Sequence, residues 1–143
     1  MKQFFAICLL LLYSGSVLAE KEHKTYLCAP EVAGGFAFNE ATKSWKVTSV
    51  NTNDKYVVKL GDSRFPKATA TVTPFGKEKP VYLCSKGDST FGSTHACHQI
   101  FGQFFFNRNT SRYIVTSMGS YIDGRDEDTG FPSFVEGGTC SPL

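Results

Sequence analysis

Apolar and polar residues alternate along most of this chain in short runs rich in Tyr, Phe, Val, Ile and Thr. Gly, Asn, Asp and Pro separate these runs, a composition typical of strands joined by tight turns. No segment has the pattern of an amphipathic helix of several turns, although 91–100, FGSTHACHQI, is compatible with one helical turn. The candidate strands are 24–29, 35–38, 44–50, 55–60, 69–73, 80–85, 103–106, 112–118 and 134–140. The pattern predicts an all-β fold, a single antiparallel barrel or sandwich of about 8–9 short strands with at most one short helix.

One stretch of this pattern occurs twice. FAFNEATKSWKVTS, residues 36–49, and FFFNRNTSRYIVTS, residues 104–117, are identical at 7 of 14 positions. Each copy predicts a hairpin, and the two similar hairpins span 34–49 and 102–117. Because side chains alternate between the two faces of a strand, four large side chains of each hairpin share one face. We expect that face to lie in the core, and its aromatic residues are Phe36, Phe38, Trp45, Phe104, Phe106 and Tyr113.

The two predicted hairpins have the same register and the same kind of bend. A loop at 40–43 places Phe38 opposite Trp45, and the second copy places Phe106 opposite Tyr113. An Asn begins each bend, where its side chain can accept hydrogen bonds from the backbone of the following residues. The repeat is therefore explained by hairpin construction, and either duplication or convergence accounts for it.

The outward-facing pairs of the two hairpins differ in chemistry. The first copy places Ala37 opposite Lys46, which suits contact with water, whereas the second places Phe105 opposite Ile114. Two large apolar residues on the outward face need a cover, which is either a loop of the chain itself or a partner. An exposed apolar patch on an exported protein marks an interaction site, so Phe105 and Ile114 are candidate interaction residues.

The N-terminal 19 residues have the pattern of a secretory signal peptide. Lys2 precedes the apolar run FFAICLLLLY, and SVLA supplies small or short residues before the expected cut after Ala19. The apolar run is too short to span a bilayer, and no second long apolar run follows it. Residues 20–143 are predicted to form a single exported β domain, periplasmic or secreted, without a membrane span.

The cysteine pattern predicts two disulfides. Cys8 lies in the signal peptide, and an even number of cysteines in a short exported chain is typical of a disulfide framework. We favour Cys84–Cys97, which closes a short loop, together with Cys28–Cys140, which ties the two ends together. The alternative connects Cys28 to Cys84 and Cys97 to Cys140. None of these cysteines lies in a C-x-x-C pair, so no metal site is predicted from them.

Charge is distributed unevenly along the chain. Residues 24–86 hold ten Lys or Arg and five Asp or Glu, whereas 87–143 hold three Arg, no Lys and six Asp or Glu. The split reflects either ordinary surface solvation or a basic and an acidic side of one small body. No aromatic stripe on an evident exposed face accompanies the lysines, so nucleic-acid binding is not predicted.

The sequence offers no catalytic or metal-binding constellation. His95 and His98 can share a metal only if HACH is helical, and they flank a cysteine that we expect to be oxidised. There is no G-x-S-x-G nucleophile motif and no phosphate-binding glycine loop. We therefore predict no catalytic residue, no metal, no cofactor and no enzymatic activity.

The span 119–133 is the longest stretch without a strand pattern, and DGRDEDTG within it lacks the spacing of an EF-hand loop. Long loops on small barrels often carry function. We therefore add this loop to the candidate interaction surface. Its candidate contact residues are Tyr121, Asp123, Arg125, Asp126, Asp128 and Phe131.

The motifs TYLC at 25–28, GF at 35–36 followed by a Trp, and GGTCSPL at 137–143 resemble small exported bacterial β-sheet proteins of unassigned function. The resemblance implies periplasmic or secreted placement and no activity. A looser likeness is to periplasmic inhibitors of c-type lysozyme, which are disulfide-tied antiparallel barrels of similar size. Their S-G-x-x-Y inhibitory motif is absent here, so no inhibitory residue is assigned. The residues that carry the first resemblance are Tyr26, Cys28, Gly35, Phe36, Trp45, Gly138 and Cys140.

These observations favour an exported, non-enzymatic binding module for an unidentified partner, an envelope or extracellular protein. One alternative is a periplasmic inhibitor of a cell-wall hydrolase of the lysozyme type, with the loop 119–133 entering the enzyme's cleft. A second alternative is a small envelope hydrolase that depends on His98.

Overall fold

The computed structural model describes residues 24–39, 41–51, 53–85, 92–118 and 133–143. The described residues form nine strands and no helix. The strands are β1 Thr25–Asn39, β2 Ser44–Ser49, β3 Tyr56–Leu60, β4 Ala70–Pro74, β5 Tyr82–Ser85, β6 Thr94–Gln99, β7 Gly102–Asn107, β8 Arg112–Ser117 and β9 Ser133–Pro142. The predicted signal peptide lies outside the described residues.

The strands form a closed antiparallel barrel of eight strands with β2 as an additional ninth strand. Each strand from β3 to β8 pairs with the next one along the chain, and β9 pairs with β1 to close the barrel. One edge of β1 pairs with β9, and the other edge pairs first with β3 and then with β2. The predicted all-β class is confirmed, and the barrel is the correct one of the two architectures.

Strand β1 replaces two of the predicted strands, 24–29 and 35–38, with one continuous strand of 15 residues. Pro30 and Gly34 lie between the two predicted segments. The pairing with β9 instead shifts its register between Pro30 and Val32, which is a β-bulge. A bulge adds one unpaired residue to a strand and lets the strand pass a proline without ending.

The segment 91–100, considered as a helical turn, contains strand β6. Cys97 in this strand pairs with Cys84 of β5 on one side and with Phe104 of β7 on the other. In a strand, residues three positions apart point to opposite faces. His95 and His98 are therefore directed to opposite sides of the barrel wall, and they cannot share a metal ion.

Both hairpins have the predicted register. Phe38 pairs with Trp45, and Phe106 pairs with Tyr113. The side-chain oxygen of Asn39 accepts hydrogen bonds from two loop N–H groups at 3.0 and 3.2 Å, and the corresponding Asn of the second hairpin does the same at 2.9 and 3.2 Å. The local sequence alone therefore determines both turns.

The interior of the barrel is filled by aromatic and branched side chains. Phe104 stacks on Tyr113 with ring centroids 5.2 Å apart, and Tyr56 meets Phe104 edge-to-face at 5.5 Å. The second hairpin thus lies in the core as predicted. The buried apolar residues are Tyr26, Cys28, Tyr56, Val58, Ala70, Val72, Tyr82, Cys84, Cys97, Phe104, Phe106, Tyr113, Val115 and Cys140.

Both favoured disulfides are present. Cys28–Cys140 joins β1 to β9 at the seam where the barrel closes, and Cys84–Cys97 joins β5 to β6. All four cysteines are buried. Two disulfides are compatible with an oxidising environment outside the cytosol.

Candidate binding surface

A shallow groove of about 420 Å³ lies on the outer face of the barrel, where β2, β1, β9 and β8 run side by side. Its rim is formed by large apolar side chains that are exposed to solvent. We call this feature the outer groove. Its exposed apolar residues are Val32, Phe36, Val47, Ile114 and Val135.

The bulge in β1 produces this surface. Before the bulge, Tyr26 and Cys28 are buried in the barrel, so the even-numbered positions point inward. One extra residue reverses the alternation. After the bulge Gly35 is buried, and Val32 and Phe36 are exposed on the outer face.

The prediction that the aromatic face of the first hairpin lies in the core is therefore wrong. Phe36 is 46% exposed and Val47 is 78% exposed. Phe38 and Trp45 are half-buried and pack on each other edge-to-face at 5.5 Å, outside the core of the barrel. The two hairpins share one construction, but they present the same face to opposite sides of the barrel wall.

Two glycines form the floor of the outer groove. Gly34 pairs with Val135, and Gly137 pairs with Val32 on one side and Ile114 on the other. Neither glycine has a positive φ, and an added Cβ would meet nothing nearer than 3.9 Å at Gly34 and 3.6 Å at Gly137. Neither backbone conformation nor packing therefore requires a glycine here. A glycine inside a strand often marks a place where a ligand or another backbone approaches closely.

Only some residues of the predicted interaction surface lie within the part of the chain that the structure describes. Ile114 is 42% exposed and lies in the outer groove, whereas its partner Phe105 is half-buried and does not line it. Most of the loop, 119–132, lies outside the described residues, so the contacts predicted for Tyr121, Phe131 and the charged residues between them stay predictions. The sequence interpretation missed the valines and both glycines, since only the bulge brings them to one face.

A carboxylate lies inside the barrel. Glu136 is 1% exposed, and its Oε1 accepts a hydrogen bond of 2.7 Å from the hydroxyl of Tyr113. Burial, and then the Glu136 charge, raise the pKa of Tyr56 and Tyr82, and the pKa of Tyr82 rises to about 12. Burial and the hydrogen bond to Glu136 raise the pKa of Tyr113 as well. This cluster makes the barrel interior sensitive to alkaline pH.

Stability is expected to fall as the pH rises from 10 to 12. The folded state holds the proton of Tyr82 up to a pKa of about 12, whereas the unfolded chain releases it near 10. The unfolded state therefore binds fewer protons in this window, and each such tyrosine lowers the free energy of unfolding by up to about 1.4 kcal/mol per pH unit. Urea unfolding at several alkaline pH values measures this slope. Tyr82→Phe should make the slope shallower, and an unchanged slope would contradict the assignment.

The described residues contain no group of three His, Cys, Asp or Glu side chains arranged to hold a metal ion. Within the same part of the chain, no helix has the length and apolar character needed to cross a membrane. His95 stacks on Phe106 with ring centroids 6.3 Å apart, and burial lowers its pKa. Its geometry is that of a packing residue in the barrel wall.

Comparison with known proteins gives no relative for this chain. No protein-family model matches the sequence, no curated protein is similar to it, and no solved structure matches the fold. The resemblances to small exported bacterial proteins and to lysozyme inhibitors therefore stay predictions.

Proposed function

We propose that this chain is an exported, non-enzymatic binding module, periplasmic or secreted, whose outer groove holds an extended apolar segment of a partner protein. The observation that carries the proposal is an apolar groove, open to solvent, with a floor of glycines that neither conformation nor packing requires. A contiguous exposed apolar patch on an exported protein marks an interaction site. The disulfides and the predicted signal peptide favour an envelope or extracellular protein as the partner.

The shape of the outer groove favours an extended segment as the ligand. The surface is concave, so the same groove on a second copy of the chain cannot fill it. A protruding, extended segment can lay its side chains between Phe36 and Ile114, and its backbone can approach the glycine floor closely. Rim valines on β1, β2 and β9 then cover that segment from both sides.

Strand β2 offers a second means of recognition beside the outer groove. It pairs with β1 along Gly34–Asn39, and none of the other described strands pairs with its far edge. An unpaired edge presents N–H and C=O groups on which an extended peptide can add as a further strand. The side chain of Val47 lies on the outer face of this edge strand and belongs to the groove. A segment that lies in the groove can therefore continue onto the edge of β2.

Filling the groove is expected to weaken this interaction strongly. The probe is a random dodecamer peptide library displayed on phage and selected on the mature protein. We expect enrichment of peptides with several apolar residues. Isothermal titration of a synthetic enriched peptide should show binding to Gly137→Leu weakened at least about tenfold, which corresponds to about 1.4 kcal/mol. Leucine at this position occupies the space above the floor, and the backbone tolerates its Cβ.

A matched control separates the groove from general surface hydrophobicity. Leu83 is 46% exposed and lies outside the outer groove, so Leu83→Ser should leave binding unchanged, whereas Ile114→Ser should weaken it. Thermal melting of each variant verifies that it folds. Enrichment of charged peptides, or equal binding to Gly137→Leu, would overturn the proposal. A dimer in sedimentation that Gly137→Leu abolishes would assign the groove to a second copy and overturn it as well.

A further inference from the structure

A second groove, of about 440 Å³, lies on the outer face of the barrel over β3 and β4. Its chemistry is opposite to that of the outer groove. Three cations, Lys59, Arg64 and Lys77, line it together with the hydroxyl-bearing side chains of Thr25 and Thr73. We call it the basic groove. It shares no lining residue with the outer groove, so it is a separate surface.

The strand register places a lysine at the centre of this groove. Lys59 of β3 pairs with Thr25 of β1 on one side and with Thr71 of β4 on the other. Two residues away on the same strands, and on the same face, Val57 pairs with Thr73. Because paired residues share a face, the side chain of Lys59 lies between those of Thr25 and Thr71.

A buried carboxylate fixes the guanidinium of the groove in place. Asp62, whose side chain is 1% exposed, accepts hydrogen bonds from Nε and Nη2 of Arg64 at 3.1 and 2.7 Å. The Arg64 backbone N–H and the Thr71 hydroxyl bind the same carboxylate at 3.1 and 3.2 Å. The side chain of Arg64 remains 55% exposed. The hydrogen bond from Arg64 holds the pKa of the Asp62 carboxyl well below its usual range, so the pair stays charged.

This pairing leaves donors for a ligand. A guanidinium carries five N–H donors in a rigid fork, and Asp62 takes two of them. The remaining donors stand on a side chain that is already ordered, so a ligand loses little conformational entropy in binding them. Such a fork matches the geometry of an oxyanion with two oxygens.

The charge of the groove favours an anion. No described residue forms an ion pair with Lys59 or Lys77. Glu78 is the one acidic residue on the lining, and Asp62 lies buried beneath Arg64. Three cations against two carboxylates leave one excess positive charge.

We propose that the basic groove binds a saccharide that carries a phosphate or sulfate ester. The fork of Arg64 holds two oxygens of the ester, and Lys59 and Lys77 balance its charge. The groove is much larger than a bare oxyanion, and the hydroxyls of Thr25 and Thr73 suit the hydroxyl groups of a sugar ring. The site is independent of the partner surface proposed above.

Titration of the mature protein followed by backbone amide NMR tests this site. The probes are glucose 6-phosphate, glucose 6-sulfate, glucose and inorganic phosphate. We expect the two esters to shift the resonances of Lys59, Thr73 and their neighbours, with affinity at least tenfold above that of inorganic phosphate, and glucose to cause no shift. Equal affinity for inorganic phosphate would overturn the assignment of a saccharide ester. Absence of shifts with both esters would overturn the site.

Two variants and one charge-matched control complete the test. Lys59→Gln removes one groove cation, and Arg64→Lys keeps the charge but loses the fork, so each should weaken binding of the better ester at least tenfold. Lys67→Gln removes the same charge from an exposed position outside the groove and should leave affinity unchanged. An equal loss in Lys59→Gln and Lys67→Gln would reduce the effect to general electrostatics and overturn the proposal. Lys59→Gln keeps the test decisive if Arg64→Lys fails to fold.

Discussion

Gly138→Ala is expected to destabilise the barrel by about 3 kcal/mol or more. Gly138 points into the barrel, where β9 passes between Pro30 of β1 and Tyr113 of β8. An added Cβ would collide with the carbonyl oxygen of Ala29 and would lie 2.8 Å from Cε1 of Tyr113 and 2.9 Å from Cα of Pro30. Two of these three atoms belong to the backbone beside the bulge, so they cannot rotate away. The closing seam of the barrel must therefore open to admit the methyl group.

Gly137→Ala is the matched control for this variant. The two glycines are neighbours in β9, but Gly137 faces outward, where the nearest atoms to an added Cβ lie at 3.6 and 3.9 Å. Replacing a strand glycine that no contact requires should change stability by at most about 1 kcal/mol, in the stabilising direction. Urea unfolding gives both free energies, and thermal melting should show a loss of roughly 12 °C for Gly138→Ala alone. Similar losses in both variants would contradict the assignment of the two faces.

Removal of Cys28–Cys140 is expected to cost about 5 kcal/mol, and removal of Cys84–Cys97 about 3 kcal/mol. The first disulfide joins cysteines 112 residues apart, and the second joins cysteines 13 residues apart. A disulfide lowers the conformational entropy of the unfolded chain, and the reduction is larger when the disulfide closes a longer loop. A loss of about 5 kcal/mol is comparable to the whole stability of many small domains, so the Cys28→Ala/Cys140→Ala double variant should be largely unfolded at elevated temperature.

The second disulfide serves as the control for the first. All four cysteines are buried, so the double alanine variants lose similar side-chain packing. Urea unfolding of both double variants under non-reducing conditions should show a difference of about 2 kcal/mol in the free energy of unfolding. Equal losses would show that residual order in the unfolded chain, rather than loop length, sets the contribution of the closing disulfide.

The hairpins show how far local sequence determines structure. The alternation of apolar residues and the Asn at each bend predicted the register of both hairpins, including the pairs Ala37 with Lys46 and Phe105 with Ile114. The prediction that Ala37 and Lys46 form the outward face of the first hairpin is wrong, since Phe36 and Val47 lie on that face. Turns and cross-strand pairs involve residues that are close in the chain, so their energetics can be read locally. The disulfide Cys84–Cys97 could also be predicted from local sequence, because these two cysteines close the shortest loop.

The outer groove shows where local interpretation fails. The first hairpin has the same apolar face as the second, but the bulge after Pro30 turns that face to the outside. A bulge depends on the pairing of β1 with β9, whose residues lie about a hundred positions further along the chain. Alternation within one strand carries no information about an extra residue introduced by a distant partner. The valines and glycines of the groove could therefore not be found from their own neighbours.

The basic groove combines both kinds of information. The excess of lysine and arginine in residues 24–86 is visible in the sequence, where a basic side of the molecule was one of two interpretations. The hydrogen bonds from Arg64 to Asp62 are also local, since the two residues are two positions apart. Only the pairing of strands in the barrel brings Thr25 of β1 beside Lys59 of β3. The same fold places Lys59, Arg64 and Lys77 on one surface.

The sequence by itself determined most of the strands of this protein, the register of its two hairpins, the class of its fold and the favoured disulfides, because these depend on alternation, turn residues and spacing along the chain. The tertiary structure alone decided which face of each hairpin points into the barrel. That choice depends on closure of the barrel, where β9 adds a bulge to β1 and turns Phe36 outward beside Ile114. A feature shared by both hairpins thus became core in one and a candidate binding surface in the other.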